Sequence, residues 1–229
     1  MRQARGANGV VHLLDSFVHK GPNGNHQCLV FELLGPAVET VVLDYAGGGD
    51  HLDAETTMGI TRQLLKTLSA MHRAGYAHGG SLRLILLSIL QWNADFDLPV
   101  IDVSGANMAF TTARLATLNP RALFEVIGSP QTEPLVRLDG KPLAPGMPEQ
   151  LVQKTMWEDW IDEDEEDVRL IDLGEAFPLD KPPAKLAEPG GLQAPEGIFT
   201  GKFDHRVDLW RAGCTVRFSW GRSCSIAGG

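Results

Sequence analysis

The run LDAETTMGITRQLLKTLSAMHRAG, residues 52–75, constrains this chain more than any other stretch. Met58, Leu64, Leu65, Leu68 and Met71 are spaced for one buried helical face. Asp53 is the predicted N-cap, with Glu55 and Thr56 in the first turn, and Gly75 is the predicted stop. A helix with one apolar stripe must lay it against other elements. Upstream, VVHLLDSFVHKG and HQCLVFELLG flank GPNGN, whose Pro, Asn and Gly favour a turn. That pattern predicts a hairpin with strands over 10–18 and 27–32.

The rest is less regular. Residues 111–149 read as loop, with SPQTEP and DGKPLAPGMPEQ rich in Pro and Gly, and PLDKPPAKLAEPGGLQ is too proline-rich for regular structure. VRLIDLGEAF reads as a short strand entering a turn, and HRVDLWRAGCTV as the start of a buried helix. Within 229 residues there is room for one domain of moderate size or one with large insertions. The net charge of -9 argues against general nucleic-acid binding and favours basic partners. Cys28, Cys214 and Cys224 show no metal spacing and suggest a reducing compartment, cytoplasmic or nuclear. No apolar run reaches membrane-spanning length: LRLILLSIL, residues 82–90, is well short of the ~20 residues a span needs.

Four pieces occur in order: His78-Gly79 with Asp102 to Asn107 (DVSGAN), Asp172-Leu173-Gly174, Ala194-Pro195-Glu196, and DLWRAG beginning at Asp208. Each triplet alone is weak, but the ordered set resembles the large lobe of eukaryotic protein kinases. Within that superfamily, LLDSFVHKGPNGNHQCLVFELLG and RLIDLGEAF resemble the SR-protein kinase group, in particular its fungal members. The resemblance implies an incomplete protein-kinase-like fold of the α+β class. Residues 1–35 would be a remnant of the small β lobe, and 36–229 part of the helical large lobe. Residues 80–101 and 108–168 would be atypical insertions and 216–229 an off-family tail.

It also implies ATP-dependent phosphoryl transfer with Mg²⁺, which depends on alignment and charge neutralisation more than on covalent help. By resemblance Asp102 accepts the substrate hydroxyl's proton, and Asn107 and Asp172 hold magnesium, an ion suited to sparse oxygen ligation. His78 and Asp208 would support the catalytic loop, and Glu32 and Leu34 would belong to the hinge that holds the nucleotide. The substrate implied is a basic or Arg/Ser-rich protein, with no membrane or nucleic-acid partner.

The departures from the family are equally specific. No Gly-rich phosphate loop and no matching lysine strand occur in these residues, and Ser104 and Ala106 stand where such kinases place a loop cation. Gly79 replaces the arginine that pairs with a phosphorylated activation loop, and residues 174–196 contain no Ser, Thr or Tyr. Switching by phosphorylation there is not expected. The acidic run 158–167 reads either as a solvated surface insertion or as a docking face for Arg-rich substrates.

Deleting 80–101 would close the phrase to GYAHGDVSGANMAF, a well-formed catalytic loop. A translated intron accounts for this: Gly80 can be encoded with an embedded GT, and Ile101-Asp102 as ATA-GAT. Val216-Arg217 can likewise be encoded as a donor, GTA-AGA, where the sequence leaves the family's apolar helix. Three readings follow. The chain is a serine/threonine kinase-like enzyme, impaired in this form; or a catalytically inactive kinase-derived binding module; or a mis-spliced, non-functional fragment.

Overall fold

The computed structural model describes residues 9–80, 107–153, 166–186 and 193–220. Asp102 and Ser104, most of the 80–101 stretch, residues 158–165 of the acidic run and the tail beyond 220 lie outside them. The chain divides into two units: one comprises residues 1–10, 36–111 and 163–229, the other 11–35 and 112–162.

The second unit is built on a hairpin of β1 (Leu13–Gly21) and β2 (Gly24–Phe31). The strands pair antiparallel from Leu13↔Phe31 to Gly21↔Gly24, with an irregularity between Leu13 and Asp15. They reach further into the GPNGN stretch than expected, because only Pro22 and Asn23 are needed to reverse the chain. Of the 111–149 segment expected to be loop, residues 135–149 carry no helix or strand, but the part before them does. Helices α3 (Ala113–Ala116) and α4 (Pro120–Ile127) lie there in sequence, followed by a ladder of β5 (Thr132–Pro134) and β6 (Gln150–Val152). Asn119 caps α4 by accepting from Ala122 N at 3.0 Å, and Pro120 takes the first helical position, where its missing N–H costs nothing. Local capping chemistry thus outweighs the loop-like composition.

The first unit contains α1 (Val38–Gly47) and the long α2 (Ala54–Arg73). Asp53 caps α2, accepting from Glu55 N at 2.7 Å and Thr56 N at 3.0 Å, and Gly75 follows the helix with φ of 85°. The expected buried stripe is only partly right. Leu64, Leu68 and Met71 are buried, but Met58 and Leu65 are 46% and 43% exposed. The buried line runs Thr57, Leu64, Leu68, Met71, and Met58 and Leu65 lie a quarter turn away on the helix.

Helix α2 packs against β7 (Val168–Leu170), against β3 (Tyr76–Ala77) and against α6 (Arg206–Trp220). Strand β7 pairs antiparallel with β4 (Met108–Phe110), and β3 with β8 (Phe177–Pro178). Met108, Phe110, Val168 and Leu170 are buried on the first ladder; Ala77, Phe177, Leu186, Ala194 and Val207 form a second cluster. A short helix α5 (Pro195–Thr200) precedes α6. Helix α6 continues to Trp220, past the point where the sequence leaves its expected pattern. No helix among the described residues is long and apolar enough to cross a membrane.

Candidate active site

The site grows from the turn that follows β3. His78 is fully buried, and three groups fix it. Its N–H donates to Asp208 Oδ2 at 2.8 Å; Nδ1 accepts from Gly80 N at 3.2 Å; Nε2 contacts the Ile171 carbonyl at 3.1 Å. Because Nδ1 is the acceptor, the ring proton is assigned to Nε2, which donates to Ile171. The next amide, Gly79 N, donates to Asp208 Oδ1 at 3.0 Å. Asp208 is fully buried on the first turn of α6 and also accepts from His72 Nε2 at 2.8 Å. A buried carboxylate is costly unless its oxygens are taken up. Here two backbone amides and one imidazole do so, which ties the end of α2, the turn and α6 together.

Ile171 links this turn to the predicted metal ligands. Its N–H donates to the Asn107 carbonyl at 2.9 Å, extending the β4–β7 ladder by one residue. Asn107 is therefore backbone-adjacent to Ile171 and is itself buried. Asp172 follows, exposed, with φ of 58° and ψ of 65°. It is the single non-glycine with positive φ among the described residues. A left-handed non-glycine costs on the order of 1–3 kcal/mol, and such residues cluster at functional sites. Its carboxylate accepts from Gly174 N at 3.4 Å and caps the 3₁₀ turn Leu173–Glu175.

Of the predicted site residues, the structure brings together His78, Asn107, Asp172 and Asp208. Glu32 and Leu34 belong to the other unit, where Glu32 N donates to His12 O at 3.0 Å and Glu32 Oε1 accepts from His12 N at 2.8 Å. Asp102 lies outside the described residues. The acidic run is described only at its end: Glu166 accepts from the Thr111 hydroxyl, and Asp167 N donates to the same oxygen at 3.1 Å.

Sequence reasoning missed His72 and Arg211. Arg211 is 1% exposed and donates to the carbonyls of Gly79 and Gly80. The available signal was spacing, since Arg211 lies three residues beyond Asp208 and so on the same helical face. Among the described residues no group of three or more His, Cys, Asp or Glu side chains is placed to hold a metal ion. Asn107 and Asp172 offer oxygen donors only, a sparse and hard set that suits magnesium completed by phosphate and water.

Comparison with known proteins gives a consistent result. No family model matches the chain. Protein kinase dsk1 of Schizosaccharomyces pombe is 40% identical over 68 residues, 30% of this chain and 12% of that protein. Serine/threonine-protein kinase SKY1 of Saccharomyces cerevisiae is 44% identical over 68 residues, 30% of this chain and 9% of that protein. Serine/threonine-protein kinase SRPK of Physarum polycephalum is 26% identical over 215 residues, 90% of this chain and 44% of that protein. The chain thus spans less than half the length of these relatives. The crystal structure of a kinase domain superposes with a TM-score of 0.51 at 18% identity, covering 93% of this chain and 46% of that one. Over part of its length the chain is thus similar to SRPK-type serine/threonine kinases, and it carries part of the protein kinase fold.

Proposed function

We propose that the site formed by His78, Asn107, Asp172 and Asp208, completed by Asp102, serves ATP-dependent phosphoryl transfer to serine or threonine hydroxyls of basic, Arg/Ser-rich proteins. One observation carries this reading. Ile171 is held on both backbone groups, by His78 and by Asn107, and the residue that follows is the left-handed Asp172. Two oxygen-bearing side chains from separate elements are thereby anchored on one buried frame, the requirement for aligning a metal–phosphate complex.

Asp102 orients the attacking hydroxyl and takes its proton; Asn107 and Asp172 supply oxygen ligands; Asp208 fixes the turn from below. When bound, magnesium neutralises charge between the nucleotide phosphates. Glu32 and Leu34 are the hinge residues for the nucleotide. A cytoplasmic or nuclear site of action agrees with such substrates.

A polypeptide of these 229 residues transfers phosphate poorly, because it contains no Gly-rich loop or partner lysine and has Ser104 in place of a loop cation. That last substitution favours a second reading, a kinase-derived binding module that retains the frame without turnover.

Thermal unfolding with and without Mg-ATP tests the proposal. Ligand at about ten times its Kd stabilises by roughly 1.4 kcal/mol, a rise of about 3–5 °C for a chain of this size. We expect that rise in the wild type and its loss in Asp172→Ala. No rise at millimolar Mg-ATP would eliminate nucleotide chemistry and leave the binding-module reading; a rise that Asp172→Ala leaves intact would remove Asp172 from the site.

A further inference from the structure

Helix α6 holds the His78–Gly80 turn with two side chains three residues apart. Asp208 takes the amides, and Arg211 takes the carbonyls. Arg211 Nη1 donates to Gly79 O at 2.6 Å and to Gly80 O at 2.7 Å. At 1% exposure it is the largest fully buried side chain among the described residues. Burying a guanidinium costs several kcal/mol unless its donors are satisfied. A purely space-filling position favours an apolar residue.

The turn has no room for a cation of its own. Gly79 sits at φ of 66°, and a Cβ there would stand 2.5 Å from Glu175 O and 2.9 Å from the Phe177 ring. A Cβ on Gly80 would stand 2.8 Å from His78 Cε1. Both residues are therefore held to glycine by close approach. The positive charge comes instead from the helix beneath.

We propose that Arg211 is a positioning residue of the candidate site. Its hold on Gly79 and Gly80 sets the geometry of the turn. Gly80 N bonds His78 Nδ1 and His78 Nε2 bonds Ile171 O, so the constraint reaches the backbone that presents Asp172 and abuts Asn107. The nucleotide part of this inference rests on the phosphoryl-transfer reading; the hold on the turn does not.

The test uses the 229-residue chain with Arg211→Met, which keeps the length and removes the donors, and Arg211→Lys, which restores a cation with several N–H groups. Amide exchange at Gly79 and Gly80 is compared with that at Leu68 in α2, and Mg-ATP affinity with that of metal-free ATP. Arg211→Met should speed exchange at both glycines about tenfold or more, with Leu68 within about twofold. It should weaken Mg-ATP about tenfold while sparing metal-free ATP, and Arg211→Lys should recover most of both effects. Unchanged glycine exchange in Arg211→Met overturns the inference, as does Arg211→Lys behaving like Arg211→Met. If Arg211→Met also loses protection at Leu68, Arg211→Lys decides. Protection at all three amides supports positioning, and any other pattern leaves the arginine a structural residue and overturns it. A wild-type chain that binds no Mg-ATP defeats the phosphoryl-transfer reading, while the exchange rates still judge the hold on the turn.

Discussion

Three hydrogen bonds of the site converge on the Asp208 carboxylate. Replacing it with alanine leaves His78 N, Gly79 N and His72 Nε2 without their acceptor. An unsatisfied buried donor costs about 1–3 kcal/mol, and three that share one acceptor do not add in full. Asp208→Ala should therefore lose roughly 3 kcal/mol or more of stability, seen as a lower urea midpoint at unchanged slope. Asp208→Asn, which keeps one acceptor oxygen, should lose less. Equal midpoints for wild type and Asp208→Ala would mean that the carboxylate does not organise the turn. Both ring nitrogens of the neighbouring His78 are committed to backbone groups, so its work is to hold Ile171.

At the scale of elements, α2 separates buried from exposed positions sharply. Leu68 is fully buried, whereas Met58 is 46% exposed. Leu68→Ala should cost about 2–5 kcal/mol, and Met58→Ala no more than about 0.5 kcal/mol, read from chemical denaturation. The helix start adds a pH dependence. The Thr56 hydroxyl first, and then the Thr56 amide, hold the Asp53 carboxyl below the ordinary aspartate value. A carboxyl with a depressed folded pKa contributes stability above its unfolded pKa and loses it as pH falls through the folded one. Asp53→Ala should lower the midpoint at neutral pH, and the gap should close on the acid side of the ordinary aspartate range. A gap that persists there would assign the effect to something other than the charge.

This helix was legible because capping and apolar periodicity are local, and both were written between Asp53 and Gly75. The exposure of Met58 and Leu65 was not, since the side on which α2 is covered depends on β3, β7 and α6, two of them nearly a hundred residues or more away in sequence. The same holds for the site. His78, Asn107, Asp172 and Asp208 could be picked out by their order along the chain. The role of Arg211 depends on the absence of side chains at Gly79 and Gly80, a three-dimensional fact. The helices after Thr111 were hidden because they are short and precede the Pro- and Gly-rich stretches that dominate the segment; the one proline within them, Pro120, takes the first helical position.

For the whole molecule, the distribution of apolar surface matters more than its amount. In the second unit, Leu14, Phe17, Val18 and Leu29 of the hairpin are each half exposed or more, and Leu138 is fully exposed. In the first unit, Leu209 and Trp210 of α6 are 47% and 43% exposed, although Val207 and Asp208 beside them are fully buried. Apolar surface of this kind marks faces that gain from a cover, in a chain that spans less than half the length of its relatives. The proposed metal-binding residues of the described chain nevertheless lie within the first unit, from His78 through Ile171 to Asp172, and on the phosphoryl-transfer reading proposed above they should hold a metal–nucleotide complex even where turnover is slow. Nuclear magnetic resonance with Mn²⁺ and a non-hydrolysable ATP analogue reads this most directly, because the paramagnetic ion broadens only nearby amides. The account predicts that the amides of Asn107 and of Ile171 through Gly174 broaden first, while those of α1 stay sharp. Broadening centred on the exposed acids Asp44 and Asp50, or no selective broadening at any nucleotide concentration, would contradict it.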